Sequence, residues 1–396
     1  MDFALSPGLK AACDETSCLI REQLLPLEPL LLGHDYATLM GELEEVRQSV
    51  RELGLWAPHL PTELGGMGLS LLEFAQMAEI LGYSPLGHFA FGCQAPDAGN
   101  AELLLHCGTL EQRQRYLQPL AKGEIRSCFA MTERQLAGSN PLMMNSEAEF
   151  DGEQWHLNAH KWFTTAAEGA DFAIVMAKTN PDAAPHQQAS MLLVPMDAPG
   201  VSRLRNISVM GGEGHGPFSH AEMLFDDVKL PADALLGRPG QGFALAQARL
   251  GPGRIHHCMR WLGLAQRALD ETIGYLNQRA ITGQKTLGEQ PLAQGMLAEA
   301  AAAHRAARWF VLHTAWEVDR EDFATVRAEI AMIKFHTARM LQQVVDTAVQ
   351  LHGGLGVTDD TILAFLYREE RAARIYDGPD EVHKLAAAKQ LLRAHR

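Results

Sequence analysis

Apolar and polar positions divide the chain into three stretches of different pattern. From about residue 10 to 125, apolar residues recur at helical spacing, as in the run from Leu71 to Leu81, between loops rich in proline and glycine. From residue 128 the pattern changes to short apolar or alternating runs, and Asp151-Gly152 between two of them is a hairpin signal. After Gly242, long Ala/Leu-rich segments with helical periodicity continue to the end of the chain.

These patterns predict an α+β protein with three domains. We expect an N-terminal helical domain over residues 1–127, a middle antiparallel β domain over 128–236, and a C-terminal four-helix bundle over 237–396. Strands are predicted at 172–177 and 191–194, and the bundle helices at 243–279, 292–318, 323–351 and 359–375. A chain of 396 residues is long enough for two or three packed units.

The composition and net charge of the chain limit the classes of partner that the protein is expected to bind. With 47% hydrophobic and 21% charged residues the chain resembles ordinary globular proteins. Its net charge of −14 disfavours unaided binding to nucleic acid or anionic membranes, because those surfaces require clustered Lys and Arg. No apolar run reaches the length of a membrane span, and the first residues carry no signal or transit pattern. We therefore expect a cytoplasmic protein without a nucleic-acid or membrane partner.

The six cysteines do not follow the spacing of a metal site. None forms a Cys-x-x-Cys pair, and none is flanked by a histidine at the sequence spacing typical of zinc ligands. Adjacent histidines on a helix project about 100° apart, so His256 and His257 are expected to pack or hydrogen-bond separately. The sequence therefore predicts reduced, mostly buried cysteines and no bound metal.

Candidate chemistry first stands out at Asp377-Gly378-Pro379. A carboxylate on a sharp turn can remove a proton while a neighbouring backbone N–H polarises a carbonyl group. The same tripeptide is also common as a simple chain reversal. Residue types alone leave both interpretations open.

Three further motifs have ligand-binding and purely structural interpretations. The strand ending at Met131-Thr132-Glu133 enters a Gly138-Ser139 loop, which suits a pyrophosphate or a polar hairpin. Lys161-Trp162-Phe163-Thr164-Thr165 offers a ring and a hydroxyl to a planar heteroaromatic group, or is an ordinary strand. The helix end at Gln350 opens into several glycines, which suits close approach to a ligand or a C-cap.

Taken in order, these motifs resemble those of the acyl-CoA dehydrogenase family over nearly the whole chain. Within that family, residues 250–260 and 377–383 are most similar to the branch of the animal family members ten and eleven. The motifs that carry the resemblance are the Met131-Thr132-Glu133 strand with Gly138-Ser139, Lys161-Trp162-Phe163-Thr164-Thr165, Phe225-Asp226-Asp227-Val228, Gly240-Gln241-Gly242-Phe243, Gly263-Leu264-Ala265-Gln266-Arg267-Ala268, residues 350–356, and Tyr376-Asp377-Gly378.

The resemblance implies FAD bound between the β domain and the C-terminal bundle, in a homodimer or homotetramer whose neighbouring subunit completes the site. The FAD-binding residues implied at matching positions are Phe129, Met131, Thr132, Ser139, Phe163, Thr165, Arg279, Gln290, Gln350, Gly353, Gly354, Pro379 and Glu381. Phe163 and Thr165 would meet the isoalloxazine ring, and Pro379 and Glu381 the adenosine half. The substrate-binding residues implied are Ser139, Gly253, Arg254 and Gly378.

The implied reaction is α,β-dehydrogenation of an acyl-CoA thioester to the trans-2-enoyl-CoA, a step of fatty-acid β-oxidation. A carboxylate removes the α-proton, hydride passes from the β-carbon to flavin N5, and electron-transfer flavoprotein receives the electrons. The family places its base either in the C-terminal turn or early in the long helix before the bundle. Between Asp233 and Asp270 the chain has no Asp or Glu. The catalytic base implied here is therefore Asp377, an aspartate where the family usually has glutamate.

Several positions depart from the family pattern. Phe163 replaces a tryptophan, Thr282 replaces a phenylalanine, and Arg134-Gln135-Leu136 replaces a proline-led turn. An acyl-CoA oxidase or a nitroalkane oxidase on the same fold remains an alternative, since nitroalkane oxidases also use an aspartate base. A flavin-containing nucleic-acid-associated relative is a second alternative, which the net charge disfavours.

Overall fold

A computed structural model describes residues 3–394 apart from 322 and 324. The outermost residues of the first and third predicted domains, and residue 324 of the predicted helix 323–351, lie outside the described residues. The chain divides into two compact units, each built from separated stretches of sequence. The helical unit comprises Met1–His59, Gly68–Phe91 and Arg254–Arg396, and the sheet unit comprises Leu60–Met67 and Gly92–Gly253.

Helices account for most of the regular structure. In chain order the α-helices are α1 (Pro7–Leu19), α2 (Glu28–Leu32), α3 (Tyr36–Glu52), α4 (Leu71–Leu81), α5 (Gly87–Ala90), α6 (Asp97–Cys107), α7 (Leu110–Gln112), α8 (Gln118–Lys122), α9 (Gly242–Gln278), α10 (Pro291–Val318), α11 (Arg327–His352), α12 (Ile362–Glu369) and α13 (Asp380–Ala394). The predicted helix over Leu71–Leu81 is confirmed, and Ser70 and Glu73 form a capping box at its start.

Two of the strands are twelve residues long, and the others are shorter. They are β1 (Ser127–Ala130), β2 (Glu147–Phe150), β3 (Gln154–Thr165), β4 (Phe172–Lys178), β5 (Ala189–Pro195), β6 (Val201–Asn206), β7 (His220–Pro231), β8 (Leu235–Leu236), β9 (Ala280–Thr282) and β10 (Lys285–Thr286). Strands β1 to β8 form one sheet in the sheet unit, whereas β9 and β10 form a hairpin in the helical unit.

The large sheet confirms the predicted hairpin and both predicted strands. Its order is β6-β7-β3-β2-β4-β5-β8, with β1 beside β4, and β2 turns into β3 through Gly152 at φ 107°. Most strand pairs of this sheet are antiparallel, as predicted, but β4 pairs in parallel with β1 and with β2. The reason is that the loop after β1 returns the chain to the sheet beside β4, and alternating hydrophobicity does not encode strand direction.

The C-terminal helices differ from prediction in their last part. The segment predicted as one helix over 359–375 is α12 followed by a 3-10 helix, Glu370–Arg374. There, Gln342 Nε2 donates to the Glu370 carbonyl at 3.1 Å and Lys334 Nζ to the Ala373 carbonyl at 2.9 Å. Because side chains take these carbonyls, an α-helix is not needed to satisfy them. Helix α13 was not predicted.

Candidate active site

Asp377 lies in a strained turn between the 3-10 helix and α13. Its φ is 52°, and that of Gly378 is 101°, so two successive residues occupy the left-handed region. A Cβ at position 378 would lie 2.7 Å from His383 Nε2, so glycine is needed for space as well as conformation. The predicted sharp turn is confirmed. Strain of this kind persists only where the surroundings hold it in place.

Three side chains from other segments hold the turn through its carbonyl oxygens. The Asp377 carbonyl accepts hydrogen bonds from Arg254 Nε at 3.2 Å and from His383 Nε2 at 3.0 Å. The Gly378 carbonyl accepts one from Lys334 Nζ at 2.7 Å. Burial, reinforced by the charge of Arg254, lowers the pKa of His383 to about 4. At neutral pH His383 is therefore the uncharged tautomer with its proton on Nε2.

The carboxylate of Asp377 is itself paired. Its Oδ2 lies 3.1 Å from His257 Nε2, and the exposed side-chain fractions are 18% for His257 and 24% for Asp377. The His257 ring stacks on Trp261 and also contacts Tyr376. The sequence-based prediction that His257 would pack or hydrogen-bond apart from His256 holds, but its partner was missed. The available signal was its position three residues after Arg254, which puts both on one helix face.

Basic groups surround the turn. Burial lowers the pKa of Lys334 to about 8, against the opposing attraction of Asp377. Burial also lowers the pKa of Arg254, again opposed by Asp377. The chemistry that fits this arrangement is proton abstraction by a carboxylate whose position is fixed by its neighbours.

In the sheet unit the structure brings the predicted flavin-binding residues together. The Thr132 carbonyl accepts a hydrogen bond from Trp162 N at 2.8 Å, and the Met131 carbonyl accepts one from Lys161 Nζ at 3.0 Å. A Cβ at Gly138 would lie 3.1 Å from Thr132 Cγ2, so the Gly138-Ser139 loop folds back over Thr132. The end of β1, this loop and the end of β3 therefore form one patch.

This patch fits a flavin. The Phe163 ring is 45% exposed although it is a large aromatic side chain, and the residue has a positive φ of 54°. Thr165 Oγ1 lies 2.8 Å from His220 Nδ1, which fixes the hydroxyl near that ring. Phe129 lies beneath the Arg249 guanidinium at 4.1 Å, and Ser139 is exposed on the loop. Exposed ring, hydroxyls and a glycine-containing loop suit stacking and pyrophosphate binding.

A buried ion pair anchors the same patch. Lys161 Nζ lies 3.1 Å from Glu133 Oε1, and Glu133 also accepts hydrogen bonds from Asn145 N and from Ser146. Burial lowers the pKa of Lys161 to about 8, although Glu133 opposes the shift. Sequence reasoning placed Lys161 and Glu133 in motifs without assigning them this contact.

In the helical unit, five more of the predicted FAD residues form a second patch. Leu276, Leu287 and Leu351 pack in one small apolar cluster, and each lies within three residues of a predicted contact. The predicted residues carried there are Arg279, Gln290, Gln350, Gly353 and Gly354, of which all but Gln290 are exposed. Tyr275 stacks on His352 at 4.3 Å and so joins the end of α9 to the glycines.

Other predicted positions are sequence neighbours of residues at the Asp377 turn. Pro379 follows Gly378, Glu381 lies exposed in the first turn of α13, and Gly253 precedes Arg254 within α9. All six cysteines are free thiols, and Cys13, Cys93, Cys128 and Cys258 are buried. Within residues 3–321, 323 and 325–394, no group of three or more His, Cys, Asp or Glu side chains could hold a metal ion.

Three family models match successive parts of the chain. The acyl-CoA dehydrogenase N-terminal domain matches residues 32–124, the middle domain residues 128–228, and the C-terminal domain residues 240–392. Together they span most of the sequence in the order that the family requires.

Whole-protein comparisons agree with these matches. Mycobacterium tuberculosis FadE2, named as a probable acyl-CoA dehydrogenase, is 44% identical over 88% of this chain and 84% of its own length. Mouse acyl-CoA dehydrogenase family member 10 is 39% identical over 98% of this chain, which spans only 37% of that longer protein. A solved Mycobacterium abscessus structure, provisionally described as an acyl-CoA dehydrogenase, superposes with a TM-score of 0.94 at 37% identity, covering 99% of this chain and 100% of that one.

Proposed function

Since the chain belongs to the acyl-CoA dehydrogenase family, we propose that it oxidises an acyl-CoA thioester to the trans-2-enoyl-CoA with Asp377 as the base. The predicted family, fold class, enzyme class and FAD cofactor are confirmed. The observation that carries the proposal is the Asp377 carboxylate on a strained, clamped turn. Asp377 is the only residue predicted as the catalytic base, because residues 234–269, where the family can also place its base, contain no Asp or Glu.

Asp377 would act on the α-carbon of the bound thioester. One C–H proton passes to the carboxylate, and the electron pair of that bond becomes the Cα=Cβ double bond. FAD, when bound, supplies the acceptor for the hydride that leaves the β-carbon. Hydrogen-bond donors at the thioester carbonyl are required, since a free carboxylate is far too weak a base for this proton. We assign that role to the Asp377 N–H, with Ser139, Gly253, Arg254 and Gly378 as substrate contacts.

The two patches divide the binding of FAD. Phe129, Met131, Thr132, Ser139, Phe163 and Thr165 of the sheet unit would hold the flavin and pyrophosphate. Arg279, Gln290, Gln350, Gly353 and Gly354 would reach an FAD held mainly by a neighbouring subunit, with Pro379 and Glu381 at its adenosine half. These roles stay predictions, supported by the exposure and grouping of each set.

We further propose a homodimer or homotetramer. Apolar side chains on α13 are exposed, namely Val382, Leu385, Leu391 and Leu392. Exposed apolar side chains of this kind are unfavourable in water and are typical of a surface that another chain covers. A partner subunit there would suit the sharing of FAD sites.

The identity of the electron acceptor distinguishes a dehydrogenase from an oxidase on the same fold. We propose electron-transfer flavoprotein as acceptor and β-oxidation in the cytoplasm as setting, and free buried cysteines suit a reducing compartment. No helix in the described part of the chain is long and apolar enough to cross a membrane. An acyl-CoA oxidase or nitroalkane oxidase would instead return its electrons to oxygen.

Anaerobic titration of the holoenzyme with a panel of acyl-CoA thioesters tests the proposal. Bleaching of the flavin absorbance by at least one thioester is expected, followed by rapid reoxidation on adding electron-transfer flavoprotein and slow reoxidation in air. Rapid reoxidation in air would favour the oxidase. Bleaching by nitroalkanes but by no thioester would contradict the substrate class, and tight, salt-sensitive binding of duplex DNA would support the nucleic-acid-associated relative.

A further inference from the structure

The His257 side chain contacts the carboxylate of the proposed base. Its Nε2 lies 3.1 Å from Asp377 Oδ2, within hydrogen-bond range. A carboxylate only accepts hydrogen bonds, so Nε2 carries the proton whether the ring is neutral or charged. Both side chains are mostly buried, where such a hydrogen bond is stronger than in water.

The His257 ring is itself held in place. It lies nearly parallel to Trp261 at 5.8 Å between centroids and contacts Tyr376 at 4.9 Å. Trp261 Nε1 donates to the Tyr376 hydroxyl at 3.0 Å, and Arg260 Nη2 donates to the same oxygen at 3.2 Å. Trp261 and Tyr376 therefore restrict the His257 ring, and they have few alternative arrangements themselves because their polar groups are hydrogen-bonded to each other.

Helix α9 approaches the turn at two points. Arg254 donates to the Asp377 main-chain carbonyl, and His257, one helical turn later, contacts the carboxylate. The main chain and the side chain of Asp377 are therefore fixed by one rigid element. Sites built on helices are held more accurately than sites built on loops.

We propose that His257 is a positioning residue that fixes the Asp377 carboxylate for abstraction of the α-proton. This inference rests on the proposed function. An aspartate reaches about 1 Å less far than a glutamate and must be placed accurately for proton transfer at hydrogen-bond distance. With Oδ2 anchored by His257, rotation about the side-chain bonds of Asp377 is restricted. An error of about 1 Å in such a position can cost about a hundredfold in rate.

The direct test compares His257→Ala and His257→Gln in the holoenzyme. Anaerobic stopped-flow reduction by a saturating acyl-CoA is expected to be about 10 to 100 times slower in His257→Ala, with the thioester Kd changed less than threefold. Glutamine offers a donor near the position of Nε2, so His257→Gln is expected to recover most of the lost rate. A purely structural loss would not be rescued in this way.

Isotope effects separate positioning from general damage. With α-deuterated thioester, the isotope effect on reduction is expected to rise in His257→Ala, because proton abstraction becomes more limiting. The matched control is His313→Gln, which removes a histidine that also pairs with a carboxylate, Glu317 at 3.4 Å, on α10. Reduction by that variant is expected to match the wild type.

A second readout does not depend on activity. If His257 and Asp377 interact, the loss of Tm in the His257→Ala/Asp377→Asn double variant will be smaller than the sum of the two single losses. Additive losses, together with a normal reduction rate in His257→Ala, would overturn the inference. An active Asp377→Asn variant would instead overturn the proposed function, so the two failures are distinguishable.

Discussion

At the scale of single residues, the Asp377 turn is held by side chains that reach it from several parts of the chain. The positive φ angles of Asp377 and Gly378 are those of a sharp turn, as the Asp377-Gly378-Pro379 sequence predicts. The side chains that clamp the turn are Arg254, His257, Lys334 and His383, most of them distant in sequence. Hydrophobic periodicity specifies which face of a helix is buried, but it does not specify which polar group that face meets.

A buried histidine at this scale gives a pH prediction. Burial, helped by the neighbouring His59 and His257, lowers the pKa of His256 to about 3. The unfolded chain takes up a proton at His256 below about pH 6.5 and the folded one does not, so the free energy of unfolding falls as the pH drops from 6.5. His256→Phe keeps the aromatic contact with Phe74 and removes this titration.

Urea unfolding at pH values from 7 to 4 measures the effect. The loss of unfolding free energy on acidification is expected to be shallower in His256→Phe, by up to about 1.4 kcal/mol per pH unit. The exposed His106 provides the control, since His106→Phe is expected to run parallel to the wild type. Parallel curves for both variants would contradict the assignment.

At the scale of elements, periodic patterns predicted most helices and strands. Helices α4, α9 and α10, and strands β4 and β5, agree with prediction to within a few residues. The parallel pairs of β1 and β2 with β4 were missed, because strand direction depends on the path of the intervening loop. Helix α13 was missed, although Asp380 and Glu381 give it the acidic first turn that favours a helix N-terminus.

Two glycines of α9 give an element-scale prediction. A Cβ at Gly263 would lie 2.1 Å from the Glu79 carbonyl oxygen of α4, whereas one at Gly274 would meet nothing within 4 Å. Gly263→Ala therefore forces α4 and α9 apart, at a cost of about 1–3 kcal/mol. Gly274→Ala is expected to stabilise by about 0.5–1 kcal/mol, because alanine is the better helix former.

Thermal and denaturant unfolding check this pair of variants. Gly263→Ala is also expected to slow flavin reduction, since α9 carries Arg254 and His257. If Gly263→Ala and Gly274→Ala were equally stable, α4 and α9 would not cross as closely as they do in the structure.

At the scale of the whole molecule, an ordered set of weak motifs indicated the family, whereas no single motif did.

The proposed sharing of FAD between subunits predicts that two defective variants can complement each other. Phe163→Asp alters the sheet-unit patch and Arg279→Glu the helical-unit patch, and each homo-oligomer is expected to lose FAD. A mixed oligomer, purified with two different tags, should regain it in about half of its sites. Absorbance at the flavin band measures the bound FAD, and no recovery would contradict a shared site.

The proton-abstracting role of Asp377 is tested most directly by anaerobic single-turnover reduction of Asp377→Asn. This variant keeps the shape of the turn and removes the base, so it should bind FAD and acyl-CoA like the wild type. Its flavin reduction by a saturating acyl-CoA is expected to be at least about 100 times slower. Reduction at a near-normal rate, with FAD and substrate bound, would contradict the assignment of Asp377 as the base.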